Sequence, residues 1–300
     1  MNPHRLAFTN FQFKFKFRNY LFDFGSVFGA RQQALGLIWV INTVGNHRNR
    51  RRPSPRSRVA PGLGIRNPNA VAFDVLAGCP GWVQSVLTAQ SYMLAGHAKR
   101  ALVVGNEMLS RTLDVHDRDS MIFADGAGAV VLEAGEDNPS NILGRAMQTH
   151  TSNDIAYYLK SNPSNKPGSD PKEMLIKMKG RKIYEFALRH VPDGMKAALD
   201  NAGVHLSEIK KIFIHQANAK LDHAVIERLH RLYGMKVDHV DAIAPMSIQW
   251  LGNSSVATVP TLLDLVVKTQ YQGHKIQRGD LLLFASVGAG MTINAFVYRW

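Results

Sequence analysis

From Val59 onward one pattern recurs, and it restricts the chain to an α/β fold: an apolar run, a turn carrying a polar residue, then a stretch with helical spacing. Val71 to Leu76 is the first apolar run. A Gly-Cys-Pro-Gly turn follows, and then Trp82 to Ala95, where Trp82, Val86, Leu87, Ala89, Tyr92 and Met93 recur at helical intervals before Gly96. RALVVG (100–105) reads as a buried strand, RTLDVHDRD (111–119) as a polar loop, and ADGAGAVVLEA (124–134) as a glycine turn entering another strand. Residues 135–172, rich in Asn, Ser, Pro, Asp and Gly, predict a long surface connection or lid. Lys177 to Ala202 predicts a long helix broken or kinked at Pro192. A strand at 210–215, helices near 219–233 and 254–269, and a closing strand–glycine turn–strand (281–300) complete the chain. The two halves share this order of elements with little shared sequence, which points to an architectural repeat.

Three hundred residues, 45% of them apolar, are enough for one large or two moderate domains. One cysteine excludes a disulfide framework and cysteine-rich zinc sites, and agrees with a reducing compartment. No apolar run approaches a membrane span. The net charge of +13 is local: residues 1–58 hold 11 Lys/Arg against Asp23 alone, while residues 59–300 hold 25 basic and 22 acidic groups. FKFKFR and NHRNRRRPSPRSR in that head allow a nucleic-acid-binding arm or a transit peptide. The favoured expectation is a misassigned or frameshifted start, with no nucleic-acid partner.

The chemistry-bearing residues stand at element ends, where α/β sheets place their sites. Cys79 follows a strand and precedes a helix, whose unsatisfied N–H groups favour a thiolate nucleophile; a buried packing role is the alternative. His215, in HQAN after KKIFI, is suited as a neutral imidazole to donate to an oxyanion or move a proton, or else is satisfied by backbone. Asn253, in GNSS, can add an amide donor or cap the helix that begins there. DGAG (125–128) and GAG (288–290) lack the pattern of phosphate loops and read as strand turns, although the backbone N–H of Ala289 can aim at a carbonyl beside Cys79. His223 and His230, seven apart, have no third ligand, so no metal is expected.

AFDVLAGCPGW, RTLDVHDRD, ADGAGAVVLE, IHQAN, LGNSSVATVP and SVGAG, in that order, resemble β-ketoacyl-acyl-carrier-protein synthase III, a condensing enzyme of the thiolase superfamily, over about residues 59–300. The resemblance implies a thiolase-like fold: two similar βαβαβ-type halves in α/β/α/β/α layers, the first half incomplete. It implies halves at 59–145 and 177–300 joined by a connecting loop at 146–176, with residues 1–58 unmatched. It implies a catalytic set of Cys79, His215 and Asn253, and an oxyanion hole from the N–H groups of Cys79 and Ala289. Arg118 and Trp82 become substrate contacts, and Lys220, Lys210, Lys211 and Arg228 a docking face for acyl carrier protein. The implied reaction condenses an acyl-coenzyme A with malonyl-acyl-carrier protein, in a cytoplasmic homodimer without a cofactor, coenzyme A entering as substrate. A second catalytic cysteine, as in thiolases, is absent, and the HQAN block favours synthase III over plant-type polyketide synthases. A non-catalytic relative and a natural-product enzyme remain the alternatives.

Overall fold

The computed structural model describes residues 4–7, 37–44, 67, 69–134, 141–152 and 155–300. The first half contains β1 (His4–Ala7), β2 (Leu37–Val44), β3 (Val71–Val75), α1 (Gly81–Leu94), β4 (Arg100–Glu107) and β5 (Gly126–Ala134). Its strands form one sheet in the order β1-β5-β4-β2-β3. β2 runs parallel to β3 and β4, and β5 antiparallel to β4 and β1. The carboxyl ends of β3 and β4 therefore lie at the same end of the sheet.

The second half contains β6 (Ile142–Thr149), β7 (Leu159–Pro163), β8 (Met174–Met178), α2 (Gly180–Ala202), β9 (Ile209–Ile214), α3 (Ala219–Leu232), the short α4 (Val240–Ile243) and α5 (Ile248–Leu251), α6 (Thr258–Thr269), β10 (Leu281–Gly288) and β11 (Thr292–Arg299). Its sheet has the order β6-β11-β10-β9, with β9 and β10 parallel and the other pairs antiparallel. β7 and β8 form a separate hairpin.

Side-chain alternation decides the layering. Phe213, Phe284 and Phe296 stand opposite one another on β9, β10 and β11 and stack at 5.2 Å and 4.6 Å between ring centroids. This aromatic row faces inward, and Trp82 of α1 meets Phe284 at 6.3 Å. α1 and α6 lie between the two sheets, joined in one core with Ala101 and Val103 of β4. Ile212 and Ile214 point the other way, into a second core with α2 and α3. The second sheet is thus buried on both faces, which is why Ile212, Phe213 and Ile214 are apolar without alternation. The described residues supply four of the five expected layers; segments 8–36 and 45–66 lie outside them.

Four expectations change. The first sheet has five strands, two of them drawn from the basic head, with β2 in its interior. Residues 135–172 are not simply a connection: β6 pairs with β11, and β7 pairs with β8. The boundary between halves thus falls before Ile142, not in a loop at 146–176. Gly144 makes this packing possible, because a Cβ there would collide with the α2 backbone at Ala198 and Ala202. Finally, α2 runs unbroken through Pro192, and packing of Val191 and Met195 on the second sheet outweighs the lost hydrogen bond.

Candidate active site

Cys79 sits in a tight turn between β3 and α1, closed by Gly81 N–H donating to Gly78 O at 2.9 Å. The turn after β10 presses against it. A Cβ on Gly288 would lie 2.6 Å from Pro80 Cδ and 2.8 Å from Cys79 N. One on Gly78 would lie 3.1 Å from Ala289 N. Two glycines therefore let the turns touch, and they bring the Ala289 backbone beside Cys79. Ser286 Oγ donates to Cys79 O at 2.9 Å, and Asn294 Nδ2 to Pro80 O at 3.3 Å. The nucleophile candidate belongs to the first half, yet strands of the second half hold it.

His215 and Asn253 arrive from β9 and from the segment after α5. Asn253 is pinned to the first half: its N–H donates to Ile122 O at 2.8 Å, and its O accepts from Ala124 N at 2.9 Å. Its side chain accepts from Ser255 N at 2.8 Å, a local cap that leaves Nδ2 as the donor. Ser255 adopts φ 52°, and its hydroxyl donates to Cys79 Sγ at 3.3 Å. The buried His215 ring meets Thr258 Oγ1 at 2.7 Å through Nδ1, and Thr258 Oγ1 lies 3.0 Å from Ser255 O. Cys79, His215 and Asn253 are thus joined through Ser255 and Thr258. Thr258 has one proton and two acceptors within reach. Only when it donates to Nδ1 does the neutral ring keep a proton on Nε2 for an oxyanion. Burial pushes His215 down to about 3, so the imidazole is neutral.

The thiol departs from expectation. Burial pushes Cys79 up to about 11; the Ser255 hydrogen bond lowers it, and the Glu107 charge adds to the rise. The resting group is the thiol rather than a standing thiolate, because desolvation exceeds the pull of the helix terminus. Glu107, at the end of β4, is 4% exposed. Burial raises its carboxyl to about 8, against the bond from Met108 N–H and the pull of the neighbouring Ser255 hydroxyl.

The outlying candidates fare unevenly. Arg118 is exposed at the start of a 3₁₀ turn, Arg118–Ile122, in a loop anchored by Lys177, whose Nζ bonds Asp114 and lies 2.9 Å from Asp117. Trp82 is 1% exposed in the core, so it offers no substrate-facing surface. Lys211 is buried and donates to Ala242 O at 2.7 Å, which removes it from any docking face. Lys210 is exposed, but it stands at the opposite end of β9 from His215, about 16 Å away at strand rise. Arg228 lies towards the far end of α3, half-buried. Lys220 alone of the four is exposed at the site end, in the first turn of α3. His223 and His230 have separate partners, Asp241 Oδ1 at 2.7 Å and Ile226 O at 2.8 Å. The glycines of DGAG are close-approach positions: a Cβ on Gly126 would meet Ser254, and one on Gly128 would meet Pro260.

Sequence reasoning passed over Ser255 and Thr258, reading the segment only as a helix start, and it missed Glu107. A carboxylate closing a buried strand was the available signal for Glu107.

Family profiles for 3-oxoacyl-[acyl-carrier-protein] synthase III match residues 73–151, and for its C-terminal part residues 199–300. The chain belongs to the β-ketoacyl-acyl-carrier-protein synthase III family. It is 35% identical over 239 residues to β-ketoacyl-[acyl-carrier-protein] synthase III of Synechococcus sp. (strain WH7803), covering 77% of this chain and 67% of that one. It is 37% identical over 241 residues to the enzyme of Thermosynechococcus vestitus, covering 77% and 68%. The crystal structure of 3-oxoacyl-[acyl-carrier-protein] synthase III from Aquifex aeolicus VF5 superposes with a TM-score of 0.73 at 31% identity, covering 88% of this chain and 77% of that one. That share exceeds residues 59–300, so the likeness reaches into the first 58 residues, where β2 lies. As a member of the synthase III family, the chain is an acyltransferase of the condensing, thiolase-like type.

Proposed function

We propose that the chain condenses an acyl-coenzyme A with malonyl-acyl-carrier protein through an acyl-Cys79 intermediate, the step that starts fatty acid synthesis. The observation that carries this reading is the hydrogen-bonded node at Ser255, which touches Cys79 Sγ, orders Asn253 and reaches His215 through Thr258. Cys79 Sγ attacks the thioester carbonyl, and the N–H groups of Cys79 and Ala289 receive the oxyanion. Coenzyme A leaves as its thiol. Malonyl-carrier protein then loses carbon dioxide. The neutral His215 and the Asn253 Nδ2 group donate to the enolate oxygen, and the carbanion attacks acyl-Cys79 to release the 3-oxoacyl product. Arg118, at the rim, meets the phosphates of coenzyme A, and Lys220 meets the acidic carrier protein. The same reading carries a cytoplasmic homodimer; among the described residues β3 stands at the edge of its sheet, with Val71 on it and Leu76 just after it exposed. Among the described residues no helix is long and apolar enough to cross a membrane.

Intact-mass spectrometry after incubation with a panel of acyl-coenzyme A thioesters tests it. An acyl adduct that disappears in Cys79→Ala is the expected result, and the product formed with malonyl-carrier protein separates fatty acid initiation from a polyketide role. A folded chain that never acylates overturns the reading in favour of a non-catalytic relative.

A further inference from the structure

A nucleophile that rests as a thiol needs a base. His215 is engaged at Nδ1 by Thr258, and the sulfur's hydrogen-bond partner among the described residues lies elsewhere. The group in contact with Sγ is the Ser255 hydroxyl, at 3.3 Å. Behind it stands Glu107. Gly105 and Glu107 share one face of β4, two residues apart. A Cβ on Gly105 would come 2.7 Å from Val256 O, so that face abuts the Ser255–Ala257 turn. Glu107 Oε1 accepts from Met108 N–H at 3.0 Å, while Oε2 is buried without a hydrogen-bond partner among the described residues. An unpartnered buried carboxyl oxygen is costly unless it has a use. The Ser255 hydroxyl eases ionisation of this carboxyl, which puts it within reach of the group; the hydroxyl proton is directed to Cys79, and rotation about one bond redirects it.

We propose that Glu107 is the terminal acceptor of the Cys79 proton, reached through the Ser255 hydroxyl. The carboxylate takes the Ser255 proton at Oε2. Ser255 Oγ takes the proton of Cys79 as the Sγ–H bond breaks. The sulfur electron pair forms the bond to the thioester carbonyl carbon, and the departing coenzyme A sulfur recovers a proton by the reverse path. The sum is acyl exchange between two thiols, with Glu107 and Ser255 regenerated. Ser255 touches a reacting atom; Glu107 acts through it. The other titratable groups facing Glu107 are Cys79 before α1 and Asp125 before β5, both of which disfavour its ionisation or have theirs disfavoured by it. The Ser255–Ala257 turn contributes only the hydroxyl.

This inference rests on Cys79 as the nucleophile. Because Cys79 is the only cysteine, iodoacetamide reports on it once the alkylation of Cys79→Ala, which reads the lysines and histidines, is subtracted. Alkylation rates from pH 5.5 to 10 are compared for the full chain, Glu107→Gln, Ser255→Ala and Ser255→Thr. A relay predicts an inflection near pH 8 that Glu107→Gln and Ser255→Ala lose, with rates at pH 8.5 reduced on the order of 10²-fold. Ser255→Thr, which keeps the hydroxyl, retains the inflection. Simple electrostatics predicts the opposite sign, since removing a negative neighbour lowers the thiol and speeds alkylation. A faster or unchanged Glu107→Gln overturns the relay, even while acyl adducts still form. Acylation that survives Cys79→Ala instead overturns the nucleophile assignment.

Discussion

Glu107→Gln has a thermodynamic consequence separate from its kinetic one. In an unfolded chain this carboxyl ionises near 4.5; in the fold, burial makes it hold its proton to about 8. Between those values the unfolded state releases the proton and the folded state retains it. Stability supplied by the neutral buried group is therefore complete below about pH 4.5 and is lost as pH rises through about 8. The separation is about 3.5 pH units, and at 1.36 kcal/mol per unit the full loss is on the order of 5 kcal/mol. Glutamine has the same shape and does not titrate. Urea unfolding of both proteins at half-unit steps should show the variant gaining on the wild type by ~3 kcal/mol between pH 5.5 and 8.5. Asp222 and Asp264, raised by burial, and His190 and His274, lowered by it, occur in both proteins and cancel in the difference. Two stability curves that stay parallel across this range would refute the reasoning, because they would mean Glu107 is hydrated or paired in the fold.

Three further outcomes follow from the site geometry. Gly288→Ala forces the Cys79 and Ala289 turns apart and should cost ~1–3 kcal/mol in unfolding free energy and at least tenfold in acylation rate, measured by urea titration and mass spectrometry. Thr258→Val frees the His215 tautomer, so decarboxylation of malonyl-carrier protein should slow about tenfold or more while Cys79 acylation stays within a few-fold, read as carbon dioxide release against adduct formation. In Asp114 burial pushes the carboxyl up, but Lys177 and the N–H groups of Asn165 and His116 hold it well below the usual carboxylate range. Asp114→Asn should therefore loosen the loop carrying Arg118 and raise KM for acyl-coenzyme A several-fold with kcat largely kept; a change in kcat alone would contradict that placement.

The strands and helices that position the chemistry were legible because their apolar spacing is local. β3, β4, β9 and the α1 and α3 patterns were read within a residue or two, and so were the turns holding Cys79, His215 and Asn253. β6 was hidden because a strand rich in polar residues signals itself only through its pairing with β11. α1 reads as amphipathic yet is buried on both sides, since being a middle layer is a property of two sheets, not of one helix.

By itself the sequence determined the α/β class, the three chemistry-bearing residues and the family they resemble, because residue type and spacing are carried along the chain. Tertiary structure decided what each residue is able to do. It buried Trp82 and Lys211, separated Lys210 from Lys220, and set Ser255 against Cys79 across 176 positions of chain. It also left Glu107 Oε2 without a partner among the described residues, on the strand face that abuts the Ser255–Ala257 turn. Acidity and proton transfer depend on burial and on contacts a few ångströms long, and no spacing in a sequence encodes either when the partners lie in different halves of the fold.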